Sequence, residues 1–170
     1  IGITPLVCPA DFAEGSGTAS QAQEVALHNA AGKCAAVAAK MGDELPVIAA
    51  DTIVVIDNQI LGKPKNEQEA ILMLEKLSAK THHVITGITI LSKNRCKTFH
   101  EITKVEIAQL SKQDITTYLK EENVYDKAGS YGIQGIFCKY ITKIEGDYYN
   151  VMGLPIAKVY KELKEFNNEI

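Results

Sequence analysis

The sequence has 170 residues, 46% of them hydrophobic and 23% charged, which is the composition of an ordinary globular domain rather than of a disordered or fibrous chain. The net charge of −3 argues against binding to polymeric nucleic acid, which requires an excess of Lys and Arg against the phosphates. No apolar run reaches the roughly 18 residues that span a membrane and no signal peptide is visible, so we expect a soluble, cytoplasmic protein with a single domain over residues 1–170.

Hydrophobic periodicity predicts the first elements of the chain. Residues 3–7 are predicted to form a short strand. Residues 20 to about 40 are predicted to form a helix that Ser20 caps, because their apolar side chains recur at helical spacing. Residues 47–56 form an almost unbroken apolar run without alternation, which predicts a fully buried strand.

The rest of the chain alternates strands and helices. A turn at 57–59 is predicted to fold residues 60–61 back as a hairpin, and Asn66 with Glu69 three residues later predicts a helix start. The remaining predicted elements are strands at 83–91 and 97–110, a helix begun by Ser111 and Asp114, a glycine-bearing loop at 127–135, a strand at 139–144 and a helix after Pro155. This alternation predicts an α/β domain with a mixed sheet, in which ligands bind where strands end.

Asp51 is the most informative single residue of the sequence. A carboxylate inside a buried apolar strand is unfavourable unless it is paired, hydrogen-bonded or bound to a metal, and the neighbouring Ala50 and Ile53 offer no partner. Asp51 is therefore a candidate metal ligand or general base at a cleft. The alternative is a structural role, in which the carboxylate caps nearby backbone or forms an internal ion pair.

Three further charged residues are candidates for binding an anion or a metal, each with a plainer alternative. Pro64 holds the backbone of Lys63 extended, which makes Lys63 a candidate for a positioned positive charge that binds phosphate. The alternative is a solvated lysine on a surface turn. Lys33, on the apolar face of the first helix, either extends to solvent or meets an anion at a cleft. Glu14, taken alone, is typical of a solvated carboxylate.

The glycine-rich segment at 128–135 reads A-G-S-Y-G-I-Q-G and matches neither a P-loop nor G-x-G-x-x-G. Its glycines would allow a close backbone approach to a ligand, and Gln134 offers the donor and acceptor that suit reading a base edge; a tight turn is the alternative. The sequence contains no H-E-x-x-H, G-x-S-x-G or C-x-x-C motif, and so no signature of a zinc site or of nucleophilic catalysis. Its four cysteines are expected to be buried thiols.

Five short motifs occur together and in one order. They are A-D-T at 50–52, L-G-K-P at 61–64, T-G at 86–87, the glycine-rich segment at 128–135 and N-V-M-G-L-P at 150–155. In this combination the sequence resembles the Maf family of nucleotide pyrophosphatases. The resemblance covers nearly the whole chain, from about Gly2 to the last helix. The first, second and last motifs are specific together, although any one alone would be weak.

The resemblance implies roles for the charged residues. Asp51 matches the family's proton acceptor, and Lys63 matches the lysine of L-G-K-P that contacts the phosphates. Lys33 matches a lysine of the first complete helix and is implied to bind substrate. Glu14 matches an acidic residue that, together with Asp51, holds a divalent metal, for which Mg²⁺, Mn²⁺ and Co²⁺ are the candidates.

The resemblance also implies base preference and fold. Thr52 and Gln134 fall at positions that set base choice, and this pair looks like the branch acting on dTTP and UTP rather than the branch acting on 7-methyl-GTP. The implied fold is the Maf, ITPase-like type, an elongated α/β domain whose long mixed sheet is flanked by helices, with a central cleft between two lobes. The family begins with a strand and an S-x-S-P-R-R loop that grips the triphosphate. This sequence has no such motif, and we expect the domain to be incomplete at its N-terminus.

The implied activity is hydrolysis of dTTP and UTP, or of modified pyrimidine nucleotides, to the monophosphate and pyrophosphate, a house-cleaning of nucleotide pools. Two alternatives stay open. One is a nucleotide-binding regulator of cell division and septum formation without turnover, and the other is an ITP/XTP-type purine pyrophosphatase. The expected partner is a small nucleoside triphosphate, without polymeric nucleic acid or membrane, and the family implies a homodimer.

Overall fold

The computed structural model describes residues 2–42, 45–93 and 95–168. The strands are β1 (Val47–Ile56), β2 (Gln59–Leu61), β3 (Thr81–Ser92), β4 (Arg95–Ile107) and β5 (Ile141–Glu145). The helices are α1 (Ala22–Met41), α2 (Glu67–Leu77), α3 (Lys112–Glu121), α4 (Tyr148–Val151) and α5 (Ile156–Asn168). The five strands form one sheet in the order β2-β1-β3-β4-β5.

Every strand pairing among the described residues is antiparallel. The predicted α/β fold with helices flanking a sheet is confirmed, whereas no parallel pair of the expected mixed sheet occurs in this part of the chain. Connectivity explains two of these pairings, because two-residue links join β1 to β2 and β3 to β4, and strands joined in this way can only run antiparallel. Between β1 and β2 these two residues, Asp57 and Asn58, have φ angles of 48° and 57°, the positive values that such hairpin turns favour.

Helices cover both faces of the sheet, and the alternation of side chains along β3 decides which residue meets which helix. Ile85 belongs to an apolar cluster with Ala26 of α1, whereas Ile88 and Ile90 pack with α5. Gly87 lies on the α1 face, where a Cβ atom would come within 2.4 Å of the Ala26 backbone. The absence of a side chain at this position therefore lets α1 lie directly on β3.

A larger apolar cluster joins α2, α3 and the glycine-rich segment to the ends of β1 and β3. Inside this region the buried His82 ring faces the edge of Tyr131, with 2.7 Å between His82 Nε2 and Tyr131 Oη. Burial lowers the pKa of His82 to about 4. The imidazole is thus neutral at physiological pH and acts as a structural anchor for the glycine-rich segment.

The predicted caps of two helices are confirmed. The side chains of Asn66 and Ser111 each accept a hydrogen bond from the backbone N–H three residues further on, at the start of α2 and α3. The start of the first helix differs from the prediction. A 3-10 turn at Ala19–Gln21 precedes α1, and Thr18, rather than Ser20, stands at the cap position of that turn.

Two local features were not predicted correctly. Residues 3–7 form no strand, and Leu6 and Val7 are exposed, because a strand needs a neighbour with which to exchange hydrogen bonds. The short helix α4 was missed, since four residues carry no helical periodicity. It begins where the Asp147 side chain accepts a hydrogen bond from Tyr149 N at 2.7 Å.

The cysteines are free, and the expectation that all four are buried is wrong. Cys34 is buried on α1, Cys8 is half-buried, and Cys96 and Cys138 are exposed. The error arose because apolar sequence neighbours on a strand or 3-10 turn do not decide which face a residue takes. Of the helices in the described ranges, none combines the length and the apolar character that crossing a membrane requires.

Candidate active site

A cleft of about 700 Å³ lies along β1, a volume in the range of small-molecule sites. Its wall includes segments from α1, from the loop after β2 and from the glycine-rich segment. All six residues singled out from the sequence line this cleft: Glu14, Lys33, Asp51, Thr52, Lys63 and Gln134. The structure therefore brings together side chains that are up to 120 positions apart in sequence, between Glu14 and Gln134.

The open outer edge of β1 explains how two neighbouring residues reach the same cleft. Asp51 and Thr52 point to opposite faces of the sheet, as successive strand residues must. β2 pairs only with residues 54–56 of β1, so the preceding stretch of this edge has no strand partner within the described part of the chain. The cleft reaches around this edge, with Asp51 on the α1 side and Thr52 on the other.

The Asp51 carboxylate is only 8% exposed and is held from two sides by residues of α1. Lys33 Nζ lies 2.6 Å from Oδ1, and Asn29 Nδ2 donates to Oδ2 at 2.9 Å. The other end of the Asn29 amide accepts a hydrogen bond from Gly15 N at 2.8 Å, which fixes its NH₂ group toward Asp51. Each carboxylate oxygen can accept two hydrogen bonds, so each oxygen of Asp51 can still accept one more from a group in the cleft.

Lys33 also bridges Asp51 to Glu14, since its Nζ lies 2.7 Å from Glu14 Oε1. Lys63 Nζ is 3.5 Å from the same oxygen, so a second ammonium group borders the pair. The hydrogen bond from Lys33 lowers the pKa of Glu14, and burial only partly opposes it. Burial disfavours the charged form of Lys33, but its hydrogen bonds to Asp51 and Glu14 outweigh this and raise its pKa. Both groups are therefore charged at neutral pH.

The donor set of Glu14 and Asp51 fits a divalent metal shared with a ligand. One oxygen of each carboxylate lies within 2.7 Å of the same cation, the ammonium of Lys33, so the two acids already converge on one positive charge. Mg²⁺ in proteins is often bound by one or two carboxylates, with phosphate oxygens and waters completing its shell. Within the described ranges, no group of three or more His, Cys, Asp or Glu side chains is placed to hold a metal by itself. A metal at Glu14 and Asp51 would therefore need phosphate oxygens or waters as further ligands.

Two loops form the wall that carries Lys63 and Gln134. Gly129 N donates to the Gly62 carbonyl at 3.0 Å, which ties the glycine-rich segment to the L-G-K-P loop. Gly129 has φ of +71°, and a Cβ atom there would lie 3.2 Å from the Val54 side chain, so a larger residue would be strained in its backbone and crowded against Val54. Gln134 follows from this anchored backbone with an exposed side chain.

Several residues of this region were missed as functional candidates by reasoning from the sequence. Asn29 carries a usable signal, because it is a polar residue on an apolar helix face, one turn before Lys33. Thr86 and Asn150 belong to quoted motifs but had been given no role. Thr86 Oγ1 lies 2.9 Å from Thr52 Oγ1 and donates to the Asn150 carbonyl at 3.0 Å, which only the fold reveals.

The sheet, the cleft and its charges define an α/β protein with a cleft of small-molecule size, in which Lys33 joins the buried Asp51 carboxylate to Glu14 and Lys63 borders Glu14. The family model described as Maf-like protein matches residues 1–166, and the chain belongs to the Maf family. A Bacillus cereus protein named dTTP/UTP pyrophosphatase is 44% identical over 154 residues, covering 91% of this chain and 80% of the relative. A protein of the same name from Bacillus thuringiensis subsp. konkukian is 41% identical over 169 residues, covering 99% and 88%.

Proposed function

We propose that this protein hydrolyses dTTP and UTP to the nucleoside monophosphate and pyrophosphate. The observation that carries the proposal is the buried Asp51 carboxylate, which Lys33 and Asn29 orient inside a cleft that Lys63 also lines. Membership of the Maf family and the name shared by the similar Bacillus proteins support the same activity.

In the proposed mechanism Asp51 accepts a proton from a water molecule that attacks the α-phosphorus. The bond between that phosphorus and the oxygen bridging to the β-phosphate breaks, and pyrophosphate leaves in line with the attack. Lys33 and Lys63 balance the negative charge that grows on the leaving group. Catalysis of this kind depends mainly on positioning and electrostatics, and the hydrogen bond from Asn29 provides the positioning of Asp51.

Glu14 and Asp51 are the residues that would hold a divalent metal in this mechanism. When bound, such a metal neutralises phosphate oxygens and orients the triphosphate. Lys33 is then proposed to turn its ammonium from the two carboxylates toward the phosphates, a movement that its long, flexible side chain allows. Before that movement its hydrogen bonds to Asp51 and Glu14 raise its pKa, so Lys33 is charged when the nucleotide arrives.

The base is proposed to lie against Thr52 and Gln134, away from the phosphates. Thr52 is on the opposite face of β1 from Asp51, and Gln134 is on the glycine-rich wall. A side-chain amide offers both a donor and an acceptor, which suits the alternating carbonyl and N–H groups of a uracil or thymine ring.

Pyrophosphate release tests the proposal, measured with Mg²⁺ or Mn²⁺ on dTTP, UTP, CTP, GTP and ITP. We expect turnover of dTTP and UTP in preference to the others, and a loss of about 10²–10³-fold in Asp51→Asn with nucleotide binding retained. Preference for ITP would replace the proposal by purine pyrophosphatase activity. Nucleotide binding without turnover of any of the five would replace it by a regulatory role.

A further inference from the structure

A chain of three hydrogen-bonding groups leads from the sheet into the cleft. Thr52 of β1 and Thr86 of β3 stand directly opposite each other, with 2.9 Å between their Oγ1 atoms. Thr86 Oγ1 lies 3.0 Å from the backbone carbonyl of Asn150 in α4. Thr86 is 0% exposed and has no contact with bulk solvent, whereas Thr52 is half-buried and lines the cleft.

The number of protons in this chain determines its direction. A hydroxyl group has one proton to donate, and a carbonyl oxygen can only accept. Thr86 must donate its proton to Asn150, because otherwise two oxygen atoms would face each other at 3.0 Å in a buried place with no proton between them. Thr86 can then only accept from Thr52. The proton of Thr52 is therefore directed into the sheet, and the hydroxyl presents only lone pairs to the cleft.

The side chain of Asn150 holds its own carbonyl in position. Its Nδ2 atom donates to the Val84 carbonyl at 3.1 Å and to Thr103 Oγ1 at 3.0 Å, which attaches α4 to both β3 and β4. Asn150 is 0% exposed. This explains why the N-V-M-G-L-P motif starts with asparagine, the residue whose short amide can bond two neighbouring strands at once.

The last glycine of the chain keeps the Thr52 hydroxyl accessible. A Cβ atom on Gly153 would lie 3.4 Å from Thr52 Oγ1, and Gly153 has φ of +104°, where other residues are strained. The neighbouring Val151 and Met152 give this end of the cleft an apolar lining. An acceptor-only hydroxyl at an end of the cleft that Val151 and Met152 also line suits a flat ring with a single N–H donor better than it suits a phosphate.

We propose that Thr86 and Asn150 are positioning residues that hold Thr52 as a hydrogen-bond acceptor, so that the site selects a base with a ring N–H donor. The inference rests on the proposed function and states the chemistry of its base specificity. Uracil and thymine carry a proton on N3, whereas N3 of cytosine is itself an acceptor. Cytosine would therefore place one acceptor against another at Thr52.

Binding of non-hydrolysable α,β-imido analogues of UTP and CTP tests the inference separately from turnover. For the wild type we expect tighter binding of the UTP analogue. Thr86→Val removes the acceptor for the Thr52 proton while keeping the shape, and we expect the ratio of the two Kd values to fall by on the order of tenfold. Thr52→Val, at a half-buried site, is expected to reduce the ratio as well.

Two matched variants separate positioning from a loss of folding. Thr86→Ser keeps the hydroxyl and is expected to preserve the wild-type ratio. Thr89→Val makes the same substitution on the same strand, at a residue that is 1% exposed and contacts Thr98 rather than the cleft. An unchanged ratio in Thr86→Val, or an equal fall in Thr89→Val, would overturn the inference alone. Failure of the wild type to bind either analogue would overturn it together with the proposed function.

Discussion

At the scale of single residues, the site is organised around one ammonium group between two acids. Lys33 contacts Glu14 and Asp51 at once, at 2.7 Å and 2.6 Å. Breaking a partly buried arrangement of this kind is more consequential than breaking a surface pair, since it leaves charges without partners. Lys33 therefore holds Glu14 and Asp51 together as one charged group.

Replacing Lys33 by methionine is expected to raise the pKa of Glu14 toward its ordinary value of 4.5. The lowered pKa means that ionised Glu14 contributes to stability above pH 4.5, and that this contribution is lost as the pH falls through its folded-state pKa. Carbon-13 NMR titration of labelled glutamates measures the change. Lys80→Met, which breaks the surface pair with Asp57, is the control and should leave Glu14 unaffected. An unaltered Glu14 titration in Lys33→Met would contradict the contact.

Gln134→Ala is expected to reduce the preference for pyrimidine nucleotides more than it reduces the rate on dTTP. The reason is that Gln134 lines the cleft from the glycine-rich wall and does not belong to the group around Asp51. The ratio of kcat/KM for dTTP to that for GTP measures the effect. Gln113→Ala, an exposed position on α3, is the matched control. If the ratio is the same in both variants, Gln134 does not set base choice.

At the scale of elements, β3 positions both sides of the cleft through two adjacent residues. Gly87 stands opposite Asp51 and lets α1 come close enough for Asn29 and Lys33 to reach the carboxylate. Thr86 stands opposite Thr52 on the other face. The T-G motif at 86–87 is thus explained by packing on one face and by hydrogen bonding on the other.

Gly87→Ala is expected to destabilise the fold by about 1–3 kcal/mol and to reduce activity. The new Cβ atom would lie 2.4 Å from the Ala26 backbone, so α1 must shift and carry Asn29 and Lys33 away from Asp51. Gly62→Ala is the matched control, because no atom lies within 4 Å of a Cβ atom there, and its free energy of unfolding should change by less than about 1 kcal/mol. Urea unfolding of both variants measures the difference. Equal stabilities would show that α1 does not depend on this close approach.

At the scale of the whole molecule, a buried polar pair connects the apolar cluster of α2 and α3 to the wall of the cleft. His82 and Tyr131 are both buried, and Tyr131 belongs to the segment that carries Gln134. His82 Nδ1 is buried without a hydrogen-bond partner among the described residues. Protonation of this ring would therefore place an uncompensated charge in the core.

Stability is expected to fall as the pH decreases from 7 to 5, by about 2 kcal/mol from His82 alone. The sign follows from the lowered pKa: the unfolded chain takes up a proton near pH 6.5, whereas the folded chain takes it up only near pH 4. Urea unfolding across this range measures the slope, which His82→Gln should flatten even if that variant is less stable at pH 7. His28→Gln, at an exposed histidine, should keep the wild-type slope. A steep slope in His82→Gln would assign the effect to other groups.

Local patterns predicted elements whose signals are contained within a few residues. The strand at Val47–Ile56 and the helix starts at Asn66 and Ser111 follow from periodicity and capping, which act between near neighbours in sequence. The strand expected at 3–7 failed because pairing depends on a distant partner. The four residues of α4 were missed because their helix depends on the anchoring of Asn150 to β3 and β4.

By itself the sequence determined that this is an α/β protein of the Maf family, and it identified the charged residues that line the cleft. The order of the motifs and the types of residue in them were sufficient. A charged residue in a buried strand is unfavourable unless it has a role, and several specific motifs rarely occur in one order by chance. Only the tertiary structure decided that Lys33 lies between Glu14 and Asp51, that Asn29 orients Asp51, and that Thr86 lies within hydrogen-bond distance of Thr52. These contacts join residues on different elements. Their geometry depends on strand register and on how closely α1 approaches β3, and no short stretch of sequence determines either.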